Sequence, residues 1–120
     1  MSPEKVLVDT SAWILSFKKD GNLELKDFLK NSISGGTAAT SPIIILELLQ
    51  GCRTEEERDA LRIKLESLDV LPIAQAAWER AYELGFSLRR KGFIIPTVDL
   101  IIAAIAIENN CIVLHQDKHY

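Results

Sequence analysis

No stretch of this sequence stays apolar long enough to cross a membrane: the longest run, Leu100 to Ile107, falls well short of the roughly 18 residues a spanning helix needs. The apolar stretch from Val6 to Phe17 is interrupted by Asp9, Thr10 and Ser11, unlike the continuous core of a secretory signal, so no export is expected. Cysteine is scarce. Cys52 and Cys111 form no C-x-x-C pair and no Cys/His cluster, which excludes the usual zinc patterns and a disulfide framework and fits a reducing cytoplasm. Repeats and low-complexity tracts are missing, while six Gly, four Pro and 26% charged residues are ordinary for a folded chain, so disorder is excluded as well. Nor is there an excess of positive charge. A net charge of −3 argues against a non-specific nucleic-acid binder, although Lys18-Lys19 and Arg89-Arg90-Lys91 are local basic clusters.

What is present is enough apolar material, 48% of 120 residues, for one buried core, and the chain reads as a single domain over residues 1–120. Lys5 to Val8 predicts a strand, followed by a short helix carrying Trp13, Ile14 and Phe17 and capped by Thr10 or Ser11. Leu23, Leu25, Phe28 and Leu29 predict a second helix, ended by Gly35-Gly36. Thr37 to Thr40 reads as a buried strand, and Ser41-Pro42 starts a helix running to about Gln50. Thr54 and Glu57 form a capping box for a helix with Leu61, Leu65 and Leu68 inward. Val70 to Ile73 is the next strand. Ala77, Trp78, Ala81, Tyr82, Leu84 and Leu88 give a long helix over Ala74 to Lys91, with Gly92 at its end. Thr97 caps a helix from Val98 to about Asn109, and Cys111 to Leu114 is the last strand. Apolar strands alternating with helices predict an α/β fold, a three-layer α/β/α sandwich around a central parallel sheet.

Four acids stand where solubility does not explain them: Asp9 and Asp117 just past strands, Glu47 inside Ile43-Ile44-Ile45-Leu46-Glu47-Leu48-Leu49, and Asp99 at the start of a helix. Ligands of open parallel sheets bind beyond the carboxyl ends of the strands, where Asp9 and Asp117 fall. The helix after Asp99 descends about 18 Å at 1.5 Å per residue. The strand that follows climbs back at roughly 3.3 Å per residue, which returns Asp117 to the level of Asp99. Glu47 lies deeper, but helical side chains lean toward the N-terminus, so its longer side chain can reach the same edge. Two carboxylates about 4 Å apart repel by about 4 kcal/mol at an effective dielectric near 20. A helix N-terminus returns only about 0.3 to 1 kcal/mol, so protons or a divalent cation must neutralise the cluster. Oxygen-only ligands favour Mg²⁺ or Mn²⁺, and such ions suit hydrolysis of a phosphodiester.

Taken singly, Asp99 and Asp117 read equally well as a first-turn charge and a surface charge, and Asp9 as the start of a turn. Glu47 resists that reading, because an unpaired charge in so apolar a helix is costly. Thr10 and Ser11 serve as caps or as supports of a ligating carboxylate. His115 and His119 near a strand end are more often solvated or bonded to backbone, and receive no role. Arg89, Arg90 and Lys91 close a helix, where the dipole favours cations. Trp13, Phe28, Trp78, Tyr82 and Phe86 read as core or interface rather than as platforms for stacked bases.

Four motifs in order, Val-Asp-Thr-Ser-Ala-Trp at 8–13, Ile-Leu-Glu-Leu-Leu-Gln-Gly at 45–51, Asp-Leu-Ile-Ile-Ala-Ala at 99–104 and Leu-His-Gln-Asp-Lys-His-Tyr at 114–120, resemble those of PIN-domain nucleases. Within that family they look like the VapC-like toxins of type II toxin-antitoxin systems, over nearly the whole chain. The resemblance implies that Asp9, Glu47, Asp99 and Asp117 are the catalytic, metal-binding acids, with Thr10 or Ser11 in support. It further implies an Mg²⁺- or Mn²⁺-dependent endoribonuclease acting on structured RNA such as transfer RNA. A homodimer and a cognate VapB-like antitoxin, whose C-terminal segment covers the toxin groove and sets a basic side chain against the acids, are the implied partners. Two features depart from the pattern: similar proteins usually continue beyond the position of Tyr120, and His119 stands where relatives often have another acid.

Two other functions stay open at this level. A degenerate PIN domain would bind an antitoxin or RNA without cutting. A phosphotransfer domain would also place Asp at a strand end, but phosphatases of that kind need a second Asp two positions on, where this chain has Ser11, and the paired early acids of receiver domains are missing.

Overall fold

The computed structural model describes residues 4–116. Three short segments, β1 (Val6–Val8), β2 (Ala38–Thr40) and β4 (Ile112–Leu114), and a two-residue β3 (Asp69–Val70) make one sheet in the order β3-β2-β1-β4. Every pairing is parallel, with Val6 opposite Ala38 and Ile112, and Ala39 opposite Asp69. Parallel strands need covered faces, and β1 and β2 are buried throughout. The helices α1 (Thr10–Ser16), α2 (Leu23–Ser34), α3 (Pro42–Gln50), α4 (Glu55–Glu66), α5 (Gln75–Arg90) and α6 (Thr97–Glu108) flank the sheet. The α/β expectation holds.

The strand order carries functional meaning. From β1 the chain steps through β2 to β3 on one side, then returns across the sheet to lay β4 against the other side of β1. The reversal lies between β1 and β4, the place where open parallel sheets leave a crevice beyond their carboxyl ends.

Helix α6 is apolar nearly all round, with Ile101, Ile102, Ala104, Ile105 and Ala106 buried, as expected of a helix enclosed by the core. Its neighbour α5 turns Ala77, Ala81 and Gly85 inward at four-residue steps, and a Cβ on Gly85 would stand 3.2 Å from Leu100 Cδ1. Small side chains let the two helices approach closely.

The left-handed residues Gly36, Gly92 and Asn110 each follow a helix end and close it with the same paired bonds. Thr37 N donates to Ser32 O at 2.9 Å, Phe93 N to Leu88 O at 2.9 Å and Cys111 N to Ala106 O at 2.9 Å, which turns the chain sharply toward its next segment.

Several local expectations are corrected. The cap of α1 is Asp9, not Thr10 or Ser11, and that of α6 is Pro96, not Thr97. Ser41 precedes α3 but makes no side-chain capping bond. Thr54 accepts from Glu57 N at 3.1 Å as expected, while Glu57 Oε2 accepts from Arg53 N instead of closing the box at Thr54. The third strand is two residues long, because Pro72 has no N–H to extend the ladder. No helix among the described residues is long and apolar enough to cross a membrane.

Candidate active site

The site begins where β1 ends. Asp9 stays extended (φ −66°, ψ 156°), and its backbone N–H donates to Leu114 O at 2.9 Å, continuing the ladder to β4. The residue is 3% exposed. Oδ2 accepts from Ser11 N at 3.2 Å and from Ser11 Oγ at 2.5 Å. One carboxylate thus caps α1 and anchors the next hydroxyl, which is why three consecutive residues able to cap resolve in favour of the first.

Ser11 does more than hold Asp9. Its Oγ also accepts from the backbone N–H of Gln116 at 3.0 Å, so the segment leaving β4 is tied to the start of α1. On the adjoining side, Thr10 Oγ1 donates to Glu47 Oε1 at 2.6 Å, reaching across from α1 to α3. Glu47 is half-buried, less enclosed than its apolar neighbours in sequence suggest, and it lines a groove of about 520 Å³. Ile14 of α1 and Phe17 just past it, Leu48 of α3 and Ala60, Leu61 and Lys64 of α4 line that groove.

Asp99 occupies the first turn of α6, half-buried, and lines a separate cavity of about 290 Å³ with Leu84, Leu88, Phe93 and Leu100. Because α6 leads into β4, its N-terminus lies toward the edge where Asp9 sits. Asp117 and His119 lie outside the described residues, and His115 is half-buried beyond β4. Hydrogen bonds therefore join Asp9 to Ser11 and Thr10 to Glu47, and α6 carries Asp99 toward the same edge. Among the described residues, no three His, Cys, Asp or Glu side chains gather closely enough to hold a metal ion.

Asp9, Thr10, Ser11 and Glu47 offer oxygen atoms alone, a donor chemistry that fits a hard divalent cation and not zinc or copper. Two fully buried hydroxyls at the same end of β2, Thr40 Oγ1 and Ser41 Oγ, lack a hydrogen-bond partner among the described residues. By sequence alone Ser41 reads as a helix cap and Thr40 as the last residue of a buried strand. A polar pair closing an otherwise apolar strand was the signal available.

The sequence pattern of the PIN domain matches residues 6–120. Among characterised relatives, Ribonuclease VapC10 of Mycobacterium tuberculosis is 32% identical over 101 residues, covering 84% of this chain and 74% of that protein. Ribonuclease VapC11 of the same organism is 27% identical over 120 residues, covering 96% of this chain and 88% of that protein. In three dimensions the chain resembles VapBC2 from Rickettsia felis, solved bound to a DNA fragment from its promoter, with a TM-score of 0.78 at 25% identity over 93% of this chain and 86% of that one. A four-stranded parallel sheet with a buried aspartate after its first strand, a match over almost the full length and VapC relatives at this similarity lead to one conclusion: the chain belongs to the PIN-domain family, among its VapC-like members.

Proposed function

We propose that this protein is a divalent-metal-dependent endoribonuclease toxin that hydrolyses phosphodiester bonds of structured RNA, transfer RNA among them. The observation that carries the reading is the buried Asp9 carboxylate at the sheet's reversal point, set by Ser11 and continued through Thr10 to Glu47. Asp9, Glu47 and Asp99, with Asp117, would hold Mg²⁺ or Mn²⁺, which when bound neutralises charge on phosphoryl oxygens and activates water. The chain's own contribution is orientation: Ser11 fixes the Asp9 oxygen, Thr10 fixes that of Glu47, and the Gln116 amide holds the segment preceding Asp117 against α1.

The inhibitor is a VapB-like antitoxin. The groove that Glu47 lines carries apolar side chains, Ile14, Phe17, Leu48 and Leu61 among them, which suits an apolar segment, and the carboxylates of Glu47 and Glu57 in its lining suit a basic side chain. The complexes represented by VapBC2 support such a partner. A homodimer is supported by a second apolar face, where Tyr82 and Phe86 of α5 are each 64% exposed and Phe93 and Ile94 beyond it are exposed too. These aromatics are not core, which leaves the interface reading for them.

The alternative is a degenerate domain of the same family that engages antitoxin or RNA without cutting. Calorimetric titration of metal-free protein with Mn²⁺ separates the two. Binding that is lost in Asp9→Asn supports the nuclease, and no binding to the wild-type protein supports a module that engages antitoxin or RNA without cutting.

A further inference from the structure

Ser41 is the N-cap residue of α3, a position where a serine hydroxyl normally accepts from the helix's own N–H groups, yet it makes no such bond. Its side chain is fully buried and without a partner. A desolvated, unpaired hydroxyl opposes folding, so its presence calls for a role elsewhere.

The sheet supplies a neighbour. β1 and β2 pair Val6 with Ala38 and Leu7 with Ala39. The paired register ends at Leu7 and Ala39, but both chains stay extended for two residues more, Asp9 at φ −66°, ψ 156° and Ser41 at φ −151°, ψ 157°, and the register continued over that distance sets Asp9 opposite Ser41. The pleat returns side chains to one face at every second residue, and neighbouring strands run about 4.8 Å apart. Asp9 and Ser41 therefore leave the sheet on the face shared by Leu7 and Ala39. Thr40, one residue earlier, falls on the opposite face with Val8 and has no such relation to Asp9.

We propose that Ser41 is a positioning residue for the Asp9 carboxylate, its hydroxyl donating to that carboxylate when the acidic site holds a divalent cation. A ligating carboxylate keeps its orientation through outer hydrogen bonds; Ser11 supplies one from α1, and Ser41 supplies another from the end of β2. This rests on the metal-dependent reading above.

The test is calorimetric Mn²⁺ binding to the full chain, wild type against Ser41→Ala, Ser41→Gly and Ser41→Thr, together with melting temperatures in chelator. Glycine is tolerated at an N-cap and guards against a folding failure of the alanine variant. Loss of the hydroxyl in Ala or Gly weakens Mn²⁺ binding about tenfold, and Thr keeps it within about twofold of wild type. The metal-free melting temperature of Ser41→Ala stays at or above that of wild type, because only an unpaired group is removed. Undiminished Mn²⁺ affinity in a folded Ser41→Ala or Ser41→Gly protein overturns the assignment while leaving the metal-dependent reading intact. A wild-type protein that binds no Mn²⁺ overturns both.

Discussion

The two sides of the acidic edge are built differently. On the β1 side Asp9 is almost wholly enclosed, caps a helix, and accepts two hydrogen bonds from the same serine, with Glu47 bound to the residue between them. On the α6 side Asp99 is half-buried in a helix's first turn and faces a cavity walled by Leu84, Leu88, Phe93 and Leu100. On the first side the Asp9 carboxylate is held by Ser11 two residues on, so its orientation is set locally, while α3 and β4 brace the neighbouring hydroxyls. The other depends on how α5 lies against α6, so its geometry is tertiary. A locally fixed group suits a ligand whose placement must not vary, and a group beside open space can adjust to what binds.

Lengthening each acid by one methylene sharpens that contrast most. Asp9→Glu pushes an extra methylene into an enclosed position, and because a displacement of about 1 Å can cost about a hundredfold in rate, RNA cleavage should fall at least that far. Asp99→Glu, beside its cavity, should keep at least about a tenth of the activity by the same scale. Initial cleavage rates in Mn²⁺ report both, and equal losses would erase the distinction.

Breaking the bridge to α3 comes next in size. Thr10→Val keeps the volume but removes the donor to Glu47, and Mn²⁺ binding measured by calorimetry should weaken about tenfold, as loss of a group supporting a ligand typically does. Ser11→Ala removes a donor to Asp9 and an acceptor from the Gln116 amide. Urea unfolding should show a loss of about 1 to 3 kcal/mol, the cost of leaving such partners unmatched. No loss would mean that the Asp-Thr-Ser turn does not hold its neighbours.

Away from the site, effects should be small. Burial pushes the Cys111 thiol above its ordinary range, with the nearby Lys5 pulling the other way. A thiol whose pKa is raised in the folded state contributes stability that is present below its unfolded pKa and is lost as pH rises through the folded one. Alkylation of Cys111 at about pH 8.5, near the ordinary thiol pKa, should therefore be slower in the native protein than in urea. Equal rates would show that the thiol is not shielded.

How much of this was legible in the sequence follows from range. Val6 to Val8, the apolar α6 and the glycine turns after α2 and α5 are encoded by neighbouring residues, so α/β order could be read directly. Asp9 and Glu47 stood out because carboxylates in apolar surroundings need partners, and both have them. The choice of cap among Asp9, Thr10 and Ser11 depends on β4 and α3, which occupy the two hydroxyls. Tyr82 and Phe86 matched helical spacing, yet the side of α5 that meets α6 is Ala77, Ala81 and Gly85. The aromatics lie one residue further on, about 100° round the helix, and point outward. The unpaired hydroxyl of Ser41 was hidden because the cap motif explained it before the sheet register could.

RNA cleavage by Asp9→Asn is the most direct test of the claim that this edge is the reactive centre. Asparagine keeps the size and the capping ability of Asp9 but not its charge, so the protein should fold as before. Incubated with transfer RNA and Mn²⁺, the wild-type protein should cut it and Asp9→Asn should be at least about a hundredfold slower, as expected if a charged ligand of the cation has been lost. A folded Asp9→Asn protein that cleaves at the wild-type rate would contradict it.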